Sequence, residues 1–164
     1  MTPADQTGDA QFEDGGESPL RLKALDVGDL GVISALVQDA VFPASEMKWS
    51  RKDRRFALLL NRFRWEDAPK ATARAREFER VQSVLVIEDV VKVQSLGDVR
   101  GQNDVVMSLL SMAFEPGIDG MGRIVLTLAG DGVIAVEVEA LEVVLRDVTR
   151  PYRAPSGKAP GHPD

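Results

Sequence analysis

The side chains with the clearest chemical potential in this sequence are guanidinium groups. Arg51, Lys52, Arg54 and Arg55 precede an apolar run, Phe56-Ala57-Leu58-Leu59-Leu60, and Asn61, Arg62, Arg64 and Trp65 follow it around Phe63. Guanidinium groups bind phosphates and carboxylates, and indole rings offer stacking surfaces. Arg51 to Arg80, with Arg74 and Arg76 between and Trp49 and Trp65 beside them, could therefore form a patch for RNA. The charge is polarised: Lys48 to Arg80 holds eleven Lys/Arg against five Asp/Glu, whereas Asp104 to Val148 holds two against eight. The plainer reading is that basic strand ends face acidic strands of the same sheet. With a formal net charge of -6, the chain is not expected to carry the strongly positive face of a nucleic-acid reader.

A second polar group lies between a helix end and this segment. Gln38-Asp39 follows a helical pattern, and a carboxylate at a helix C-terminus is electrostatically unfavourable. A partner from Arg55, Arg62 or Arg64 is expected. Asp39, Arg55, Asn61, Arg62, Arg64 and Trp65 are thus the candidate ligand-binding or partner-binding residues. They would either anchor a small-molecule pocket between helix and sheet or, as the general behaviour of such pairs favours, tie the helix to the sheet. Glu137, Glu139 and Glu142 could offer oxygens to a divalent ion, but alternating acids on a strand are ordinarily its solvated face. Gly130-Asp131-Gly132 reads as a hairpin turn and not as a phosphate loop, because no helix follows it.

No catalytic residue, metal site or cofactor is assigned. The chain has no cysteine, and its single histidine, His162, sits in a Pro/Gly-rich tail, which removes thiolate chemistry, triads and His-ligated zinc. Nothing approaches a membrane span, and the acidic start lacks the features of a secretory signal. A cytoplasmic setting is the default.

Residues 1–19 are acidic and poor in apolar side chains, and 150–164 are rich in Pro, Gly and basic residues. Both read as disordered tails around one domain at 20–149. Leu22 to Leu25 reads as a short strand. Asp26 can cap a helix from Val27 to Asp39, whose stripe is Leu30, Ile33, Leu36, Val37, Ala40 and Val41. Met47–Ser50 is a short strand. The Arg54–Trp65 stretch is an interior strand with Phe56, Leu58 and Leu60 on one face and its arginines emerging into water. Phe78 to Val93 reads as one long strand with a bulge at Glu88-Asp89, in preference to a hairpin there. Further strands follow at Val105–Phe114, Ile124–Leu128 and Ile134–Glu139. Ala140–Val148 fits a helix stripe through Leu141, Val144, Leu145 and Val148 or a strand through Leu141, Val143 and Leu145, and its β-branched valines favour the strand. The fold expected is α+β: one N-terminal helix packed on a curled antiparallel sheet or open barrel of about six to seven strands.

The sequence also resembles a known family. Leu22-Lys23-Ala24-Leu25-Asp26, Asp29-Leu30, Ile33-Ser34 and Gln38-Asp39-Ala40 are similar to the opening of the domain of unknown function 2948 family, found chiefly in alphaproteobacteria. The likeness continues through Arg55 to Glu66, Leu109-Leu110, Phe114-Glu115-Pro116, Ile124-Val125-Leu126, Gly132, Ile134 and Val136 to Glu139. It implies a small cytoplasmic bacterial domain and no particular activity. A non-catalytic interaction or regulatory domain using the basic face near Arg55 and Arg62 is the reading adopted, with an unknown protein or small molecule as partner. A small-molecule-binding or enzymatic site near Asp39, Asn61 and Arg62 is the alternative, and RNA binding the third.

Overall fold

In the computed structural model, residues 19–67, Pro69, 79–97 and 105–153 are described. The strands are β1 (Arg21–Ala24), β2 (Ala40–Pro43), β3 (Met47–Ser50), β4 (Arg55–Phe63), β5 (Glu79–Ile87), β6 (Val90–Leu96), β7 (Val106–Pro116), β8 (Gly122–Leu128), β9 (Val133–Val138), β10 (Val143–Asp147) and β11 (Tyr152–Arg153). Helix α1 spans Val27–Leu36, and short 3-10 turns lie at Ala44–Glu46 and Trp65–Asp67. The sheet order is β1-β10-β5-β4-β2-β7-β8-β9-β6, with β3 also on β4 and β11 also on β5. No helix among the described residues is long and apolar enough to cross a membrane.

This corrects the α+β expectation. Eleven described strands in one open antiparallel sheet, against one ten-residue helix, make a fold close to all-β. The surplus over six or seven strands has three causes. Asp39 adopts a φ of 65°, ending the helical path three residues early, and its N–H donates to Leu109 O at 2.7 Å. Ala40–Pro43 therefore continues as β2, paired with β7, and not as helix. Asp39 can take this left-handed conformation because Asp tolerates it better than most residues.

The second cause is the Glu88-Asp89 corner. There β5 leaves its partners β4 and β10, and β6 begins at once on a new partner, β9. The stretch is neither a hairpin nor one strand with a bulge. Asp89 has a φ of 57°, Glu88 N donates to Glu142 O and Val90 N to Arg54 O, so the backbone polar groups stay satisfied while the chain changes course. The third cause is β11, which pairs with β5 inside the stretch expected to be tail.

The core follows strand parity. Phe56, Leu58 and Leu60 of β4 join Leu85 and Ile87 of β5, Ile124 and Leu126 of β8 and Val143 and Leu145 of β10 in one buried cluster. Helix α1 adds Leu30 and Ile33, capped by Asp26, whose side chain accepts from Asp29 N. The Gly130-Asp131 turn, with φ of 81° and 70°, joins β8 to β9 as a tight hairpin.

Candidate functional site: a buried arginine cluster and a cationic groove

Arg62 lies on the same parity of β4 as Phe56, Leu58 and Leu60, so it points into the protein and is fully buried. The neighbouring strands each carry one polar residue at inward parity near it: Ser83 of β5, after Val81 and before Leu85, and Asp147 of β10, after Val143 and Leu145. Arg62 Nε donates to Ser83 Oγ at 3.1 Å, and Nη2 donates to Asp147 Oδ1 at 3.1 Å. Nη1 and Nη2 also grip both oxygens of Glu66, at 2.9 and 2.8 Å, and Nη1 reaches Phe63 O at 3.4 Å. Ser83 Oγ donates to Asp147 Oδ1 at 2.7 Å, and Leu20 N donates to Oδ2 at 2.9 Å.

Burial alone would lower the Arg62 pKa, but hydrogen bonding and charge pairing with Glu66, then with Asp147, hold it above its ordinary value. Burial would likewise raise the Glu66 carboxyl, and pairing with Arg62, aided by Arg64, holds it below its ordinary value. Every donor direction of the guanidinium is thus committed to protein groups. The cluster fastens β4, β5, β10, the 3-10 turn and the chain entering β1; it offers no donor to a ligand. A cleft of about 660 Å³ opens beside Asp147 and Glu79, walled by Val148 to Pro151. Both of its carboxylates already hold arginines, Asp147 with Arg62 and Glu79 with Arg64.

The candidate residues from sequence are dispersed among four places. Arg62 and Arg64 are buried, the latter paired with Glu79 and near Glu66, so neither arginine emerges into water. Asn61 lies on the opposite face of β4, where its Nδ2 donates to Tyr152 Oη and its Oδ1 accepts from Arg80 Nη1 at 3.2 Å. Arg55, at the far end of the strand, is half-exposed and holds Glu88. Asp39 and Trp65 are brought to one turn: the Trp65 indole donates to Gln38 O at 3.0 Å, and its ring stacks edge-on against Phe63. Among the described residues no three His, Asp or Glu side chains gather as a metal site. Arg74 and Arg76 lie outside the described residues.

The open surface lies elsewhere. The sheet curls so that β6, its last strand, comes alongside β3 and the Arg51–Arg54 turn. A groove of about 620 Å³ runs there, with Trp49 on one wall, Val90 to Val93 on the other, and Arg51, Arg54 and Glu139 at its rim. Arg54 is paired with Glu139, so Arg51 and Lys92 give the groove its surplus positive charge. Trp49 is half-buried and packs against the core, while Val91 is 49% exposed. Sequence reading included Trp49, Arg51 and Arg54 but missed Lys92 and the valines. The curl that brings β6 to β3 is a long-range feature with no local signature. Ser83 and Asp147 were missed too, although their inward parity on apolar strands was a usable signal.

A family model described as Protein of unknown function (DUF2948) matches residues 20–162, and the chain belongs to that family. No curated protein and no solved structure matches the chain.

Proposed function

We propose that this family member is a non-catalytic interaction or regulatory domain of the cytoplasm, and that its binding surface is the groove between β3 and β6. The observation that carries the reading is the combination found there: a tryptophan wall facing three valines, with surplus cations on an otherwise acidic molecule. Such a surface suits an acidic polypeptide, which gains apolar contact with Trp49 and the valines and charge complementarity with Arg51 and Lys92. Of the arginines first expected to form the face, Arg62 is buried and Arg55 holds Glu88, and the binding role passes to Arg51 and Lys92 at the curl.

A small-molecule or enzymatic site at Asp39, Asn61 and Arg62 has less support, because Asn61 and Arg62 project from opposite faces of β4 and share no pocket. Single-stranded RNA has less support because the chain carries a net charge of -6 and the groove offers a single, partly buried tryptophan for stacking.

The test is amide chemical-shift mapping of the full chain with poly-glutamate, poly-lysine and poly-uridine at low and physiological salt. Poly-glutamate is expected to shift Trp49, Arg51 and the β6 amides, and Arg51→Glu with Lys92→Glu is expected to abolish those shifts. Shifts confined to other surfaces, or a stronger response to poly-uridine at the groove, would defeat the proposal.

A further inference from the structure

We infer, resting on the groove as the binding surface, that its partner is an acidic segment in extended conformation that adds as a strand to the outer edge of β6. Strand β6 is last in the sheet order and pairs only with β9, while β3 pairs only with β4; among the described residues neither has a ladder partner on its groove side, and with Val90 N already donating to Arg54 O the edge open to an added strand begins at Val91. Unpaired N–H and C=O groups along an edge are a template for another strand, which supplies affinity through the main chain and specificity through alternate side chains.

The side chains of β6 fit this use. Val91 and Leu96 are exposed apolar residues at either end of the strand, at 49% and 60%, and Lys92 stands between them. An added strand would cover both and set carboxylates against Lys92 and Arg51. Its length is bounded by β6, which has seven residues, or about 23 Å of extended chain. The charge also argues against a second copy as occupant. Two copies joined edge to edge would bring both Arg51–Lys92 rims into one seam.

The opposing interpretation is that Lys92 and the register shift between Val90 and Lys92 only protect the edge from pairing. A peptide series on the full chain separates the two. The probes are a seven-residue alternating Glu/Val peptide, its Lys/Val counterpart, the Glu/Val peptide N-methylated at alternate amides, and a synthetic copy of residues 1–18 of this chain, which hold five acids and no base. The Glu/Val peptide is expected to bind, with intermolecular NOEs along the outer edge of β6 and no change in oligomeric state. N-methylation on the bonded register is expected to weaken it by about tenfold, as for loss of one or two hydrogen bonds.

Binding at the groove that N-methylation leaves unchanged would overturn strand addition while leaving the groove itself as the interaction surface. Failure of every peptide to bind at millimolar concentration would overturn both. Tighter binding by the peptide of residues 1–18 than by the Glu/Val peptide would overturn an external partner. Self-association through β6 would overturn it in favour of a second copy.

Discussion

Arg62 shows how burial inverts the meaning of a charged residue. On the surface it would advertise a ligand; inside, with Ser83, Asp147 and Glu66 around it, it is a cross-brace among strands. A buried ion pair does not guarantee net stability, since desolvation offsets much of the attraction, but removing one partner strands the other. Arg62→Ala is therefore expected to destabilise the fold by about 3–5 kcal/mol, because the Asp147 side chain, 3% exposed, would lose its countercharge. Chemical denaturation measures it, and a midpoint near that of the parent would mean water replaces the guanidinium without difficulty. Glu66 adds a pH dependence whose direction is fixed. Its folded pKa lies below the ordinary 4.5, so its stabilisation is complete above that value and is lost as pH falls through the lower folded value. Acid titration of Glu66→Gln is expected to show a shallower loss of stability in that window than the parent does.

Strands with clear alternation were legible, and elements defined by a change of partner were not. The inward set Phe56, Leu58 and Leu60 and the hairpin at Gly130-Asp131 follow from period-two patterning and turn chemistry, while at Val143–Asp147 both periods fitted and only the β-branched valines pointed to the strand. The break of α1 at Leu36, the corner at Glu88-Asp89 and the curl of β6 toward β3 depend on contacts distant in sequence, such as Asp39 N with Leu109 O and Glu139 N with Asp89 O. The site suffered from the same limit. Extending the alternation of β4 by one step beyond Leu60 puts Arg62 inside, but a charged residue at that position is ordinarily read as the end of burial. Two substitutions test the elements. Leu58, fully buried, is expected to cost about 2–5 kcal/mol when replaced by alanine. Gly122 pairs with Pro116 at the end of the β7–β8 ladder, and a Cβ there would sit 2.6 Å from Glu115 O and against the Phe114 ring. Gly122→Ala is thus expected to destabilise by about 1–3 kcal/mol, with increased amide exchange along that hairpin; unchanged exchange would mean that the Phe114 ring moves aside freely.

At the scale of the whole molecule, the sheet is held as one body by ties between its two ends and its middle. Helix α1 packs against β1 at one end and β7 in the middle, and the corner at Glu88-Asp89 joins β5 to β6 at the other end. The last described strand, β11, extends the same arrangement past residue 149. Tyr152 pairs with Arg80 and Arg153 with Glu79, and the Tyr152 hydroxyl accepts from Asn61, whose own carbonyl oxygen holds Arg80. This side-chain relay covers the outer face of β4 and β5, directly behind the Arg62 cluster. A chain ending at Thr149 therefore loses two ladder residues and leaves Asn61 and Arg80 to water, whereas one ending at Arg153 keeps them. The shorter truncation is expected to lower the thermal midpoint and to speed amide exchange along Glu79 and Arg80, the residues that β11 pairs with; the longer is expected to match the full chain. Because Asn61 and Arg80 are only partly buried, the loss should be smaller than for Arg62→Ala. Equal midpoints for the two truncations would show that β11 is an ornament of the sheet and that the domain ends at Thr149, where the change in composition had placed it.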